Sequence, residues 1–74
     1  MQRRPVLGEA AFRFLERAQT ANTHEGAYLA YQCFSDLYAI WRKSDTPPTG
    51  EQERELQRAR QHVARRLGAL RSAV

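Results

Sequence analysis

A row of aromatic residues in the middle of the chain is the feature that most constrains its fold. Five of the seven aromatic side chains lie in the segment YLAYQCFSDLYAIW, residues 28–41, at successive spacings of three, three, four and three residues. Side chains three and four positions apart share one face of an α-helix, whereas a β-strand places alternate side chains on one face. The segment is therefore predicted to be a helix with an aromatic face that other elements must cover.

Helical periodicity also marks the segments on either side of this row. Apolar residues recur every three or four positions between residues 5 and 21, and again between residues 50 and 72. Such recurrence is typical of amphipathic helices, and runs that alternate apolar and polar residues, the usual sign of a strand, are nearly absent. The pattern predicts three helices, over about 5–21, 24–43 and 50–72.

The break between the first two helices is short and rich in capping residues. Within the segment TANTHEG, Asn22 followed by Glu25 has the spacing of a capping box, and Thr23 is a competing N-cap. Both alternatives start the second helix within a residue or two of position 24. Because so short a connection reverses the chain, the first two helices are predicted to form an antiparallel hairpin.

The second break, residues 44–49, contains the clearest loop signal in the chain. Two consecutive prolines, Pro47 and Pro48, cannot continue a helix. Thr49 followed by Gln52 then has the spacing of a capping box that starts the third helix. The chain is thus predicted to be one domain over residues 1–74, an all-α, small three-helix bundle with antiparallel up-down-up topology.

The third helix carries a narrow aliphatic stripe that raises the question of a homodimer. Leu56, Val63 and Leu70 follow one another seven residues apart, as in the seam of a coiled coil. A chain of 74 residues buries only about 60% of its unfolded surface, and chains of this size often gain stability by self-association. The stripe can dock on the second helix or pair with a second copy, so homodimerisation is an alternative way to complete the bundle.

The types and spacing of the reactive residues argue against an enzyme or a metal protein. Cys33 is the only cysteine, which excludes a disulfide within the chain, and together with His24 and His62 it fits no usual zinc-ligand spacing. The four glycines are isolated, so there is no glycine-rich phosphate loop. We therefore expect no catalytic residues, no metal and no cofactor.

Cysteine usage and hydropathy also bear on the compartment. A single cysteine suits a reducing environment. The sequence contains no run near the roughly 20 apolar residues that a membrane-spanning helix requires. The chain is expected to be cytoplasmic, with no membrane association.

The surplus of large apolar residues for so short a chain favours a protein-interaction module. Tyrosine, tryptophan and arginine dominate binding hot spots, and the chain has eleven arginines, three tyrosines and one tryptophan. The expected role is an adaptor, inhibitor or regulatory subunit that binds a larger protein, a class that includes proteins encoded by phages and plasmids. The candidate partner-binding residues lie along the second helix: Tyr28, Leu29, Ile40 and Trp41.

The alternative hypothesis is a nucleic-acid-binding or transcription-regulatory protein that uses the arginine-rich third helix. The formal net charge is +4, and residues 56–74 contain five arginines and no acidic residue. Such asymmetry points to an anionic partner. Against it, Glu51 and Glu55 share part of the basic face, and the second loop is too long for a helix-turn-helix. The candidate contacts are Arg54, Arg58, Arg65 and Arg66.

Overall fold

A computed structural model describes residues 6–72 and shows three α-helices. These are α1 (Val6–Thr20), α2 (His24–Arg42) and α3 (Gly50–Ser72). The predicted all-α three-helix bundle is confirmed, and no residue between 6 and 72 belongs to a strand. The predicted helix ends agree with the structure to within one residue, and the predicted start at residue 5 lies outside the described part of the chain.

The first two helices form the predicted antiparallel hairpin. Gly8, in the first turn of α1, lies against the indole of Trp41, in the last turn of α2. One turn further along α1, the ring of Phe12 meets the same indole edge to face, with centroids 6.1 Å apart and an interplanar angle of 69°. The start of α1 therefore lies beside the end of α2, as a tight helical hairpin requires.

The third helix runs antiparallel to α2. Near the end of α2, the Tyr38 hydroxyl donates a 2.6 Å hydrogen bond to Oε1 of Glu53, at the start of α3. Two turns earlier on α2, the Tyr31 hydroxyl accepts a 3.1 Å hydrogen bond from Nε of Arg60, about two turns later on α3. The order of contacts is reversed between the two helices, which gives the bundle its up-down-up topology.

All three helices contribute to one small core. Alanines on α1 bring the helices close together, and the largest buried side chains are Phe34 and Trp41 of α2. From α3, Leu56 and Val63 are buried in the same cluster. The aliphatic stripe of α3 therefore docks on the hairpin of its own chain, and these two side chains are not available to a seam with a second copy.

Trp41 also fixes the loop that joins α2 to α3. Its indole Nε1 donates a 2.9 Å hydrogen bond to the carbonyl oxygen of Thr46. The backbone carbonyl oxygen of Trp41 in turn accepts a 2.6 Å hydrogen bond from the Ser44 hydroxyl. A buried aromatic ring with a satisfied donor thus holds the proline-containing loop against the end of the bundle.

The two predicted helix starts are capped by threonine side chains. At α2 the N-cap is Thr23, whose Oγ1 accepts a 3.0 Å hydrogen bond from the Gly26 amide, so the competing assignment to Asn22 is wrong. At α3 the predicted capping box is confirmed by two reciprocal bonds. The Thr49 amide donates to Gln52 Oε1 at 2.9 Å, and the Gln52 amide donates to Thr49 Oγ1 at 3.1 Å.

Candidate interaction surfaces

The structure separates the four predicted partner-binding residues into three environments. Leu29 and Ile40 are 56% and 55% exposed, and Tyr28 is 46% exposed. Trp41, in contrast, is only 1% exposed and belongs to the core, so its assignment to a binding surface is wrong. The sequence could not show this, because Trp41 is buried by Gly8 and Phe12 of another helix.

The exposed apolar residues of α2 form one narrow strip, which we call the α2 edge: Leu29, Cys33 and Ile40. Cys33 is exposed like its two neighbours in the strip. At about 100° per residue, the three side chains fall within about 40° of one another around the helix axis. Asp36 is exposed as well; it falls within about 20° of Leu29 and lies between Cys33 and Ile40 along the helix axis. The α2 edge is therefore a largely apolar strip three turns long that one carboxylate interrupts.

Tyr28 does not belong to the α2 edge, since it lies on the side of the helix that faces α3. Its ring stacks nearly parallel to the ring of His24, with centroids 6.3 Å apart and an interplanar angle of 7°. The Tyr28 hydroxyl accepts a 2.7 Å hydrogen bond from Nε2 of Gln32. Two adjacent residues, Tyr28 and Leu29, thus point to two different surfaces.

Three of the four candidate arginines lie where the sequence predicted them. Arg54, Arg58 and Arg65 are exposed on the outer side of α3. Although Glu51 and Glu55 lie nearby on the same helix, none of the three arginines has a hydrogen bond or ion pair to another residue in the described range 6–72. These three guanidinium groups are therefore free to meet an anion.

Arg66 has a structural role instead. Its Nε and Nη2 atoms donate hydrogen bonds of 3.2 and 2.7 Å to the carbonyl oxygen of Ala21, in the turn that follows α1. The side chain is half-buried there. A cation at the carboxyl end of a helix also interacts favourably with the helix dipole. Two of its donors thus connect α3 to the end of α1, while a contact of Arg66 with nucleic acid stays a prediction.

The seam between α2 and α3 contains an arginine that sequence reasoning missed. The guanidinium carbon of Arg60 lies 5.7 Å from the centroid of the Tyr38 ring, while its Nε donates to the Tyr31 hydroxyl. Arg42 lies at the same distance from the Tyr38 ring. Both distances are within the range of a cation–π interaction. Helical spacing could have revealed the seam, because Tyr31 and Tyr38 are seven residues apart on the flank of α2.

The neighbours of the Tyr38 hydroxyl in this seam change its acidity. Its hydrogen bond to Glu53 raises the pKa of Tyr38, and partial burial and the negative charge of Glu53 act in the same direction. The positive charges of Arg42 and Arg60 lower the pKa of Tyr38, without reversing the net effect. The phenol therefore stays protonated near neutral pH and remains a hydrogen-bond donor.

A continuous depression, which we call the α2–α3 groove, follows this seam along one side of α3. It consists of two adjoining hollows of about 330 and 470 Å³, and Ala64 lines both of them. The other lining residues are Tyr31, Gln57, Arg60, Gln61, His24, Tyr28, Leu67, Gly68 and Arg71. A third hollow, of about 450 Å³, shares Gln57 and Gln61 with the groove, but its lining residues all belong to α3 and include Arg54 and Arg58 of the outer side.

Neither a metal centre nor a membrane span is found in the part of the chain that the structure describes. Within residues 6–72, no three His, Cys, Asp or Glu side chains are placed to hold a metal ion. None of the helices in that range combines the length and the apolar character needed to cross a bilayer. The candidate sites are thus two surfaces, the α2 edge and the α2–α3 groove.

Comparison with known proteins adds no relative to this description. The chain matches no protein-family model, no curated protein and no solved structure.

Proposed function

We propose that the protein is a small, non-enzymatic interaction module that binds a larger protein through the α2 edge. It acts as an adaptor, an inhibitor or a regulatory subunit, and its location is cytoplasmic, where the exposed thiol of Cys33 remains reduced. The observation that carries the proposal is the exposure of Leu29 and Ile40, each more than half accessible on the same edge of one helix.

The α2 edge is not needed to complete the core. Phe34 and Trp41 lie on the opposite side of α2, and both are fully buried in a core cluster that does not include Leu29 or Ile40. Single exposed leucines are ordinary on protein surfaces, but an apolar strip of several residues is a common mark of a binding site. Burial of a leucine or isoleucine side chain contributes about 1.5–3 kcal/mol. Two such residues are therefore a substantial source of binding energy.

The shape of the strip suits an apolar face of a partner helix. Residues 29 to 40 extend over about 16 Å along the axis of α2, which is three helical turns. A partner helix that presents apolar residues every three or four positions can pack along such a strip, as in other helix-mediated complexes. Because Asp36 is exposed within the strip, the partner helix is expected to present a basic or hydrogen-bonding residue opposite its carboxylate.

The test is capture of partners from a lysate of the native host after nuclease treatment. The double variant Leu29→Asp/Ile40→Asp places two charges on the strip, and we expect it to lose a protein that the unchanged chain retains. Ala39→Asp is the matched control, because Ala39 is exposed on the same helix and lies about 100° away from Ile40. Circular dichroism checks that each variant remains helical.

Two results contradict the proposal. One is equal capture of the same proteins by the double variant and the Ala39→Asp control. The other is a dimer of the unchanged chain in light scattering that the double variant converts to a monomer, because the α2 edge is then an interface between two copies.

A further inference from the structure

We infer that the α2–α3 groove binds a single-stranded nucleic acid, whose phosphates contact the groove arginines and whose base stacks on Tyr28. This inference goes beyond the proposed function, since the groove and the α2 edge are different surfaces of α2. A ligand in the groove therefore leaves Leu29 and Ile40 accessible, and each site can be tested without the other.

The charge of the groove favours an anionic strand. Arg60 and Arg71 line it, and none of its lining residues is acidic. Arg71 has no ion-pair partner within the described range 6–72, and Arg60 uses its Nε for the bond to Tyr31. The nearest acid on the seam, Glu53, already accepts the hydrogen bond of Tyr38. Arginines without an acidic partner are the groups that neutralise phosphates and release their counterions.

The aromatic residues favour a strand whose bases are accessible. Tyr28 is 46% exposed at one end of the groove, and its parallel stack with His24 holds the ring in a defined orientation. A flat, pre-oriented aromatic face is a platform for a base, and base–aromatic stacking contributes about 1–3 kcal/mol per base. Gln57 and Gln61, exposed along the groove, offer amide donors and acceptors to base edges.

The distribution of the arginines favours a single strand over a duplex. A duplex laid on the outer side of α3 would engage Arg54, Arg58 and Arg65. It could not reach the ring of Tyr28, which lies between α2 and α3. The groove instead uses Arg60 and Arg71, which face α2 and adjoin the tyrosines. Only a strand with unpaired bases can contact the arginines and the face of Tyr28 at the same time.

The experiment is fluorescence anisotropy with a labelled single-stranded 12-nucleotide DNA and RNA of mixed sequence. Competitors are a duplex of the same length and a polyglutamate peptide. We expect the single strand to bind more tightly than either competitor. We also expect the logarithm of the affinity to fall with the logarithm of salt concentration, with a slope of about −1.4 for two phosphate contacts.

Two pairs of variants locate the site. Tyr28→Ala is expected to weaken single-strand binding by about 5- to 100-fold, the range for loss of one stacked base. Its control, Leu29→Ala, changes the neighbouring residue on the other edge and leaves binding unchanged. Arg71→Gln is expected to weaken binding and to reduce the salt slope by about 0.7. Arg13→Gln removes the same charge from the exposed face of α1 and has little effect on the slope.

Several results overturn the inference. Equal or tighter binding of the duplex, together with a larger effect of Arg65→Gln than of Tyr28→Ala, assigns the anion site to the outer face of α3. Tighter binding of polyglutamate assigns the groove to an acidic protein. Absence of binding at low salt, or equal effects of Leu29→Ala and Tyr28→Ala, excludes the groove as a nucleic-acid site.

Discussion

Gly8 lies so close to Trp41 that a Cβ atom on residue 8 would stand 2.8 Å from Cζ2 of the indole. Two more indole atoms, Cε2 and Cη2, would lie at 3.2 Å. The ring is buried and held by the hydrogen bond from its Nε1 to the carbonyl oxygen of Thr46. The absence of a side chain at Gly8 therefore sets how closely α1 approaches α2 at this end of the hairpin.

Replacement of Gly8 by alanine is expected to destabilise the fold. Alanine favours a helix interior by about 1 kcal/mol over glycine, but the new methyl group overlaps a buried ring that cannot shift freely. Overpacking of this kind typically costs about 1–3 kcal/mol, so Gly8→Ala should lower the free energy of unfolding measured in urea.

Gly68 provides the matched control for this substitution. It is an exposed glycine within α3, and a Cβ there meets nothing within 4 Å. Gly68→Ala should therefore raise stability by about 0.5–1 kcal/mol through helix propensity alone. If the two alanine variants shift the free energy of unfolding in the same direction, Gly8 does not contact the Trp41 indole closely in solution.

Thr23 rather than Asn22 should carry the capping energy of α2. The Thr23 side chain accepts the hydrogen bond from the Gly26 amide, and loss of such a cap costs about 0.5–2 kcal/mol. Thr23→Ala should therefore lower the thermal midpoint, while Asn22→Ala should leave it nearly unchanged. A larger effect at Asn22 would contradict the observed cap.

Features that depend on residues close in sequence were predictable. The aromatic spacing, the consecutive prolines and the pair Thr49 and Gln52 each specify a helix or its end through neighbours within four positions. The choice between Asn22 and Thr23 was left open by the sequence, because both residues are good caps and only the path of the turn decides between them.

Features that depend on contacts between helices were not predictable in the same way. Periodicity puts Trp41 at the centre of an apolar face, but it does not say which part of that face α1 and α3 cover. Arg66 lies on a basic helix like its neighbours, yet its partner is the carbonyl of Ala21, 45 positions earlier. Arg60 likewise meets Tyr31 across the bundle. The division of the apolar residues of α2 into two surfaces therefore required the structure.

Arg66 is expected to stabilise the bundle, unlike the adjacent Arg65. Its two hydrogen bonds satisfy a carbonyl oxygen in the turn after α1, and one such charge-assisted contact contributes about 1.5–3 kcal/mol. Arg66→Met keeps the apolar stem but removes these donors, and it should lower the free energy of unfolding by that amount. Arg65→Met, at an exposed site without contacts in the described range, should change it by less than about 0.5 kcal/mol.

Tyr38 should make the stability of the protein sensitive to alkaline pH. The hydrogen bond to Glu53 raises the pKa of Tyr38 in the folded state above its value in the unfolded chain, which is about 10. Because the folded state then holds this proton more tightly, the contribution of Tyr38 to stability is complete below about pH 10. That contribution is lost as the pH rises through the higher folded-state pKa.

Urea denaturation of the unchanged protein and of Tyr38→Phe, at several pH values between about 8 and 11.5, measures this contribution. Phenylalanine keeps the ring between Arg42 and Arg60 but has no proton to lose and no hydrogen bond to Glu53. The variant should be less stable at pH 8, by about 1 kcal/mol. Its stability should also fall less steeply above pH 10, so that the two curves converge. Parallel curves over this range would show that the Tyr38 hydroxyl and Glu53 are not coupled in solution.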